Sequence, residues 1–473
     1  MPRLAPPGRT FGNCLPGSWK FHEVPSHTGA TCLDGSPYGF YFMEGTPTKR
    51  EPRSMKFNES WLLLFEGGGW CFSPEDCALR ANSKLGSSRE WKRTDDGLSI
   101  GGLVNRCCFC TKFCRFRRVY LKSCDGHSFA GNATIPAPGG VSLPLQRSIT
   151  TPMRSAGRAI LSAVIGELVT HYGLGDAVSV LVGGCSAGGL AALLNAERIR
   201  DELHARGVQP RRFKVASLAG IFGHFRDHRG GGGLTPFEEQ MRAAVELGRI
   251  SLPARCTQYL PPKEHWRCVM GRAPLDALPE DLPAYVYQSR LDLWQTNCVL
   301  SAGRSRFFGL NCSHGPVWRR CLGWMQPLTS KSHCTPDLWA ALREYEEAND
   351  AELMRSVALQ RAGYATFIHS CYDHCPSPYG LINTGALLLP NLVNDSINVR
   401  ESIFNWMLDE GALPAWNHTH VGCMNALVAS HVVGKQQPAW CRKPECGQPD
   451  KMHHDDTDSR RALIRRLGWQ FGW

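Results

Sequence analysis

The sequence predicts an α/β fold in which a mainly parallel β-sheet carries helices on both faces. Two observations support this class: apolar, β-branched runs of strand length recur along the chain, and segments with helical periodicity lie between some of them. Strands that alternate with helices are typical of a parallel sheet covered on both sides. The 473 residues are 42% apolar and 20% charged, so the chain buries a large core.

The strands and helices can be placed from their patterns. Two segments have apolar residues at helical spacing: 153–173, which ends on a glycine, and 190–207, which directly follows a glycine-rich turn. Six runs predict strands of the sheet: 60–68, 118–126, 177–184, 213–220, 284–292 and 365–371. Because ligands of such sheets bind beyond the carboxyl ends of the strands, the loops there are expected to carry the functional residues.

We expect one elaborated domain, because neither an internal repeat nor a low-complexity linker divides the chain. The domain is predicted over residues 58–410, with insertions at about 221–283 and 300–364. Residues 1–57 are rich in Gly, Pro and Ser and predict an irregular or short-stranded segment before the domain. Residues 411–473 predict a Cys-, His- and Pro-rich C-terminal extension.

The cysteine content predicts an oxidising compartment. A reducing cytosol gives little reason for 21 cysteines outside metal proteins, so they are expected to form disulfides. N-glycosylation sequons also favour a secreted protein of the cell exterior or cell wall, although the first residues contain no apolar run typical of a signal peptide. The sequons begin at Asn58, Asn132, Asn311, Asn394 and Asn417.

An odd number of cysteines leaves at least one without a partner in the chain, and Cys185, beside a glycine-rich turn, is the expected free thiol. Four others lie close together in a basic segment: Cys107, Cys108, Cys110 and Cys114. Their spacing is not a pair of C-x-x-C motifs, so disulfides are the favoured interpretation and a zinc site is the alternative. The sequence predicts no bound cofactor and no other metal.

The net charge of +11 favours anionic partners such as an acidic polysaccharide. A basic soluble protein without a charged partner is the simpler alternative. No zinc finger, RNA-binding motif or aromatic-basic array supports nucleic-acid binding, and no run is long and apolar enough to span a membrane. No pattern specifies an oligomer, so a monomer is expected.

A glycine-rich turn follows the predicted strand 177–184. It reads GGCSAGG over residues 183–189 and fits the pattern G-x-S-x-G. Such a turn holds the serine hydroxyl, here that of Ser186, above the sheet and directs the N–H of Ala187 towards a developing oxyanion. A flexible connection with an incidental serine is the alternative. The strand before and the long helix after favour the nucleophile.

A second glycine cluster, EGGGWC over residues 66–71, ends the first predicted strand of the domain. Acyl-transfer enzymes with this architecture take a second oxyanion N–H from a loop after an early strand. Consecutive glycines let the backbone approach a substrate carbonyl closely, so Gly68 and Gly69 are the expected donors. A turn whose Trp70 packs in the core is the alternative.

Five blocks occur in the order LLLFEGGGWCF, VYLKSCDGHSFAGN, GGCSAGG, LDLWQ and SCYDHC. In combination they resemble the pectin acetylesterase and Notum family of serine carboxylesterases over about residues 58–375. The resemblance implies an α/β-hydrolase-like fold, several disulfides and a Ser-Asp-His triad. It points to Asp292 in the LDLWQ block as the acid and to His374 in the SCYDHC block as the base.

The residues themselves agree with this assignment. Asp292 ends a predicted strand, His374 follows another, and the order Ser186, Asp292, His374 is that of α/β-hydrolases. Cys371 and Cys375 flank the histidine loop and are expected to hold it rigid, as general-base geometry requires.

Two other residues compete for the role of base or acid. His369 lies in the strand-like part of its segment and is expected to be structural, and Asp373 adjoins His374, where a neighbour rarely faces the imidazole. Trp70, Trp294 and Gln295 are expected to shape the substrate pocket. One position departs from the resemblance: Leu218 replaces the aspartate of a block resembling S-D-A-G-F-F, which leaves an altered pocket or substrate open.

The substrate prediction depends on which branch the blocks favour. EGGGWC and DLWQ resemble plant-type members, which remove acetyl groups from pectin, so the sequence predicts a polysaccharide O-deacetylase. Residues 87–94, SSREWKRT, resemble a segment of Notum, which removes a long acyl chain from a protein, and a protein or lipid deacylase is the alternative. A non-catalytic carbohydrate-binding relative is a third interpretation. A thiol enzyme using Cys185 is disfavoured, because that side chain is expected to point away from the apex of the turn.

Overall fold

The computed structural model describes residues 18–45, 59–95, 98, 112–138, 149–225, 234–299, 336–369, 374–375, 387–388, 396–397, 399–408 and 417–419. The cysteines at 107, 108 and 110, the first part of the second predicted insertion, Cys371, Asp373 and the C-terminal extension after residue 419 lie outside the described residues.

The strands of the described residues are β1 (Trp19–Glu23), β2 (Gly39–Met43), β3 (Ser60–Phe65), β4 (Thr94–Asp95), β5 (Arg117–Leu121), β6 (Ala133–Ile135), β7 (Met153–Ser155), β8 (Ser179–Cys185), β9 (Arg212–Leu218), β10 (Ala284–Ser289), β11 (Ala365–His369), β12 (Leu387–Leu388), β13 (Ser396–Ile397) and β14 (Asn417–Thr419). The α-helices are α1 (Pro74–Ala81), α2 (Gly157–His171), α3 (Ala187–Ala205), α4 (Pro236–Gly248), α5 (Ala254–Thr257), α6 (Ala273–Asp276), α7 (Leu293–Cys298), α8 (Pro336–Met354) and α9 (Val399–Leu408).

Ten of these strands form one sheet in the order β14-β11-β10-β9-β8-β3-β5-β2-β1-β4. All pairs from β14 to β5 are parallel, whereas β2, β1 and β4 join the edge beside β5 in antiparallel pairs. All six predicted strands are present, and each ends before its predicted end or within one residue of it. The mainly parallel sheet is therefore confirmed.

The two central strands show why the sequence forms this sheet. β3 (SWLLLF) and β8 (SVLVGGC) are buried along their whole length, as expected of parallel strands covered on both faces. Along β3 the side chains alternate between two core clusters: Leu63 and Phe65 lie on one face, and Leu62 and Leu64 on the other. Alternation with period two places each set on its own side of the sheet.

Helices cover both of these faces. α2 and α3 pack their apolar side chains, among them Ile160 and Leu193, into the cluster that contains Leu63. α9 covers the other face, where Lys214 Nζ donates to Trp406 O at 2.7 Å and the hydroxyls of Tyr285 and Ser402 are 2.8 Å apart. The prediction of helices on both faces is confirmed.

The described parts of the predicted flanking segments join the main sheet. β1 and β2 belong to the N-terminal segment, where the sequence predicts irregular or short-stranded structure, and they pair antiparallel over four registered positions. β14 lies in the predicted C-terminal extension and pairs in parallel with β11. The described residues of both segments thus extend the sheet of the predicted domain at its two edges.

The chain reverses direction across the sheet between β3 and β8. These strands are neighbours, but the chain continues from β3 towards β5 and from β8 towards β9, on opposite sides. Ligands of open α/β sheets bind at such a switch point, beyond the carboxyl ends of the strands. The two glycine-rich turns of the sequence, after Phe65 and after Cys185, both lie at this point.

Four disulfides join described residues: Cys32–Cys124, Cys71–Cys77, Cys185–Cys375 and Cys256–Cys268. The expectation that Cys185 is a free thiol is wrong, because its sulfur is bonded to Cys375, 190 residues further along the chain. Among the described helices, none combines the length and the apolar character that a membrane crossing requires.

Candidate active site

The serine turn is a tight strand-to-helix connection. β8 ends at Cys185, α3 begins at Ala187, and Ser186 between them has φ 61° and ψ −132°. A positive φ in a residue other than glycine is strained, and such strain is characteristic of functional sites. The Ser186 N–H donates to Leu218 O at 2.9 Å, which holds this conformation against the neighbouring strand.

The glycines around Ser186 allow the helix to start directly on the sheet. A Cβ on Gly184 would collide with the carbonyl oxygen of Gly188, and a Cβ on Gly188 would collide with the carbonyl oxygen of Phe65. Any larger residue would push α3 away from β3 and β8. The G-x-S-x-G pattern is thus explained by close backbone packing at the switch point.

The second glycine turn lies against the serine turn. Gly68 and Gly69 both have positive φ, 130° and 71°, which glycine adopts without steric cost. A Cβ on Gly67 would lie 2.7 Å from Cys185 O and 3.0 Å from Ser186 Cβ, so these two turns are in contact. The structure brings the predicted oxyanion residues Gly68, Gly69 and Ala187 to one end of the sheet.

Hydrogen bonds connect these two turns and hold the glycine turn. The Trp70 indole Nε1 donates to Ser128 Oγ at 2.7 Å, and Ser128 Oγ donates to Ala187 O at 3.0 Å. Arg80 Nη2 donates to the carbonyl oxygens of Gly68 and Trp70 at 2.9 and 3.0 Å. Trp70 therefore packs in the core, which was the alternative interpretation of this glycine cluster. The neighbouring Gly68 and Gly69 remain at the turn.

Asp292 follows β10 and is fully buried. Its Oδ1 accepts from Gln295 N at 2.8 Å, which caps α7, and its Oδ2 accepts from Gln288 Nε2 at 3.2 Å. Oδ2 also lies 2.7 Å from His374 Nδ1. These three contacts satisfy the polar atoms of a carboxyl group that is removed from water.

The long helix α8 supports the segment before Asp292. Asn349 Nδ2 donates to Ser289 O at 2.9 Å, and Arg290 Nε donates to Asp350 Oδ1 at 2.7 Å. Asn349 is fully buried and Arg290 nearly so. This helix lies in the predicted second insertion, and its hydrogen bonds hold the segment that carries Asp292.

His374 is held by its neighbours on three sides. Its Nδ1 lies 2.7 Å from the acceptor oxygen Asp292 Oδ2, its ring stacks on Trp294 with centroids 6.0 Å apart, and the ring of Phe222 lies at 6.5 Å. The adjacent Cys375 is bonded to Cys185, with Cα atoms 6.0 Å apart. One covalent link therefore joins the residue before Ser186 to the residue after His374.

Near His374 the described side chains border a small apolar pocket with about 10 Å³ of free volume, which is about the space that one water molecule requires. Its lining residues are Trp70, Phe72, Phe237, Gln240, Met241, Ala244 and Trp294. Trp70 and Trp294, which the sequence predicts at the substrate pocket, are among them. The prediction for Gln295 needs correction: its side chain is fully buried and turned to the 221–223 loop, where it donates to Ile221 O at 3.0 Å and accepts from Gly223 N at 3.3 Å.

Leu218, which replaces an expected aspartate, contributes through its backbone. Its carbonyl accepts the Ser186 N–H, while its side chain is fully buried in the cluster that contains Cys185 and Tyr287. No carboxylate approaches the serine turn from this position. The substitution is accommodated by apolar packing.

One described group of His, Cys and acidic residues has metal-binding geometry: Cys71, Cys77 and His127. The two cysteines form a disulfide, so neither offers a thiolate. Burial lowers the pKa of His127 to about 4. The geometry here is that of a packed disulfide beside a neutral imidazole.

Sequence reasoning missed the residues that hold the site: Arg80, Ser128, Gln288 and Asn349. Ser128 stands inside the CDGHSF block and Gln288 lies four residues before Asp292, so their place beside recognised motifs was a signal. Arg80 and Asn349 had none, because their partners are backbone carbonyls that only the fold brings close.

The fold is of the α/β-hydrolase-like class, and the sequence relatives of the chain identify a carboxylic ester hydrolase. The crystal structure of the Wnt deacylase Notum from Drosophila matches 85% of this chain and 97% of its own, with a TM-score of 0.60 and 22% identity. At that identity the match supports the fold alone, and it agrees with the predicted fold class.

The sequence comparisons identify the family. The pattern of the Pectinacetylesterase family matches residues 17–423. Pectin acetylesterase 5 of Arabidopsis thaliana is 27% identical over 391 residues, covering 82% of this chain and 79% of the relative. Human palmitoleoyl-protein carboxylesterase NOTUM is also 27% identical, but over 52% of this chain and 46% of its own. The chain belongs to the pectinacetylesterase family, which confirms the resemblance.

Proposed function

We propose that the protein is a serine carboxylesterase that removes O-acetyl groups from a pectin-like, anionic polysaccharide. The observation that carries the proposal is the 2.7 Å contact between the buried Asp292 and His374, linked by the Cys185–Cys375 disulfide to the serine turn. Ser186 is the nucleophile, His374 the base and Asp292 the group that orients the imidazole.

The reaction follows from these roles. His374 takes the proton of Ser186 Oγ as the oxygen attacks the acetyl carbonyl, and the N–H groups of Gly68, Gly69 and Ala187 stabilise the oxyanion. The sugar hydroxyl leaves with the proton from His374, and an acetyl-enzyme remains. A water molecule, deprotonated by His374, attacks the acetyl-enzyme and releases acetate with the restored serine.

The size of the apolar cavity supports a short acyl group. Aromatic rings, among them Trp70, Phe237 and Trp294, fill most of the pocket and leave about 10 Å³ of free volume. Phe222 and Phe237 both pack edge to face against Trp294, with ring centroids 5.5 and 5.9 Å from that of Trp294. A pocket this small leaves no room for a long acyl chain, which favours a short acyl group in the proposed substrate.

Charge and cysteines support the substrate class and the compartment. A net charge of +11 favours an acidic polysaccharide over a neutral one. Four disulfides among the described residues favour an oxidising environment. We therefore propose a secreted enzyme of the cell exterior or cell wall. The 27% identity to human palmitoleoyl-protein carboxylesterase NOTUM supports one alternative, removal of a longer acyl chain from a protein.

Hydrolysis of p-nitrophenyl esters with two, four, eight and sixteen acyl carbons tests the proposal, together with acetate release from acetylated pectin. We expect the highest kcat/KM on acetate, and loss of activity in Ser186→Ala but not in Ser26→Ala, an exposed serine of the β1–β2 connection. Highest activity on the eight- or sixteen-carbon ester would instead favour the long-chain deacylase. Folded protein inactive on every ester would favour the non-catalytic relative.

A further inference from the structure

We propose that Arg80 and Ser128 are positioning residues that aim the oxyanion-binding N–H groups at the substrate. The proposal rests on the proposed function, because it concerns how that same site stabilises negative charge in the transition state. Neither side chain is expected to touch substrate: both are buried and both bond to the turns that do.

Arg80 is a cation in an unusual place. It lies on α1, is fully buried, and its nearest anionic groups are the buried carboxyls of Asp76 and Asp125. Burying a guanidinium is costly unless its charge and donors are satisfied. Here two of its bonds go to the carbonyls of Gly68 and Trp70, either side of Gly69. The buried guanidinium thus holds the backbone of the glycine turn through two hydrogen bonds.

The hydrogen bond from Arg80 to the Gly68 carbonyl also sets the direction of the next N–H group, because the peptide is planar. In a planar trans peptide the C=O of one residue points opposite to the N–H of the next, and none of the described peptides is cis. Because Arg80 holds the Gly68 carbonyl, the Gly69 N–H points away from Arg80. Gly68 and Gly69 both have positive φ and lack side chains that would hold the turn, so the orientation depends on an external anchor.

Ser128 sets the position of this turn relative to the serine turn. Its hydroxyl accepts from the Trp70 indole and donates to the Ala187 carbonyl, at 2.7 and 3.0 Å. Asn195 Nδ2 on α3 donates to the Ser128 carbonyl at 3.0 Å and so fixes Ser128 from the helix side. The two sources of oxyanion N–H groups are thereby tied through one buried hydroxyl.

The backbone at Ser128 supports a functional role. Ser128 and Phe129 are consecutive non-glycine residues with positive φ, 51° and 59°. Such conformations cost free energy and persist where the surroundings impose them, typically at functional sites. The segment also contacts the glycine turn directly, because Cys71 N donates to Gly126 O at 3.2 Å.

The test measures kcat, KM and thermal unfolding of Ser128→Ala, Arg80→Lys and Arg80→Met with p-nitrophenyl acetate. A misaligned oxyanion donor costs transition-state binding, so we expect kcat to fall with KM little changed. Loss of one donor costs about 10²–10³ in kcat, which sets the limit for Arg80→Met. We expect Ser128→Ala to lose about tenfold and Arg80→Lys to retain more activity than Arg80→Met.

A second readout separates positioning from folding. A short trifluoromethyl ketone forms a serine hemiketal whose oxygen carries the negative charge, so its inhibition constant should rise in proportion to the fall in kcat. Ser402→Ala is the matched control, since Ser402 is equally buried and bonded to Tyr285 on the opposite face. We expect the control to keep wild-type kcat and inhibition, whatever its melting temperature.

The outcomes are distinct. Wild-type kcat and inhibition in folded Ser128→Ala and Arg80→Lys, with Ser186→Ala inactive, would overturn the positioning role and leave the proposed function intact. Full activity in Ser186→Ala would overturn the proposed function itself. If Arg80→Met does not fold, Ser128→Ala decides the question.

Discussion

Beyond the ends of two strands of the sheet lies a buried aspartate with a histidine close by. The surroundings of these two Asp–His pairs differ in almost every other respect. Asp292 and His374 lie beyond β10, and Asp125 and His127 beyond β5. The first pair shares a carboxylate–imidazole contact of 2.7 Å. In the second, the His127 ring nitrogen Nδ1 lies 2.9 Å from the backbone carbonyl of Asp125 and 2.8 Å from Ser155 Oγ.

Solvation separates the two pairs further. His374 keeps 12% of its side chain exposed and borders the aromatic residues of the cavity, whereas His127 and Asp125 are fully buried. Burial raises the pKa of Asp125 to about 6 and lowers that of His127 to about 4. Asp125 and His127, two residues apart in the sequence, are thus buried in the core. Asp292 and His374, 82 positions apart, form the pair that faces the site.

The largest expected effect comes from the same substitution in both regions. We expect His374→Asn to lower kcat on p-nitrophenyl acetate by about 10⁶, by analogy with triad enzymes. His127→Asn should change kcat less than tenfold, because the partners of its Nδ1 are Asp125 O and Ser155 Oγ and not a residue of the proposed triad. Steady-state kinetics of both variants, with folding checked by circular dichroism, make the comparison. An equal loss of kcat in the two variants would contradict the claim that His374 is catalytic and His127 structural.

The disulfides allow a second comparison. Replacing Cys185 and Cys375 together by alanine should lower kcat about 10- to 100-fold and also destabilise the fold, since a bridge over a long loop typically contributes about 2–4 kcal/mol. Replacing Cys256 and Cys268, which are only 12 residues apart, should lower stability with little change in kcat. Unchanged kcat in the Cys185/Cys375 variant would show that His374 does not depend on the bridge.

Protonation of His127 makes a smaller, pH-dependent contribution. Its folded pKa of about 4 lies below the ordinary 6.5, so from pH 6.5 down to 4 the unfolded chain binds a proton that the folded protein excludes. Stability is therefore lost as the pH falls, by up to about 3 kcal/mol from this group. Asp76 and Asp125, with pKa values raised to about 6, act in the opposite direction.

The contribution of His127 is isolated by denaturant unfolding of wild type and His127→Asn at pH 7 and 4.5. We expect the stability advantage of wild type over the variant to shrink on acidification, since the unfolded wild-type chain gains a proton at His127 that the folded protein excludes, and the variant has no imidazole to protonate. An advantage that is constant with pH would mean that His127 is not a buried neutral imidazole.

The smallest expected effect concerns acyl-chain preference and the apolar pocket beside the Asp292–His374 pair. Met241 lines it from α4, so Met241→Ala should enlarge it and raise the ratio of kcat/KM for butyrate over acetate by a few-fold, because one buried methylene is worth about 0.8 kcal/mol. Val357→Ala, an exposed apolar position, is the control. An unchanged ratio would place the acyl group elsewhere.

Local patterns were enough to predict the sheet, the serine turn and the glycine turn. Buried strands such as 60–65 and the strand–turn–helix at Ser186 have strong local signals, because short-range sterics determine them. The partner of Cys185 was not predictable, since disulfide connectivity does not follow from spacing. Gln295 was misassigned because only the fold turns its amide to the 221–223 loop.

The central claim is that Ser186 is the nucleophile activated by His374 and Asp292. Labelling with a fluorophosphonate, which reacts with activated serines, followed by mass spectrometry of the peptides tests it most directly. We expect one label per chain, on the peptide that contains Ser186, and almost none in His374→Asn. A label on another residue, or equal labelling of Ser186 in His374→Asn, would contradict the claim.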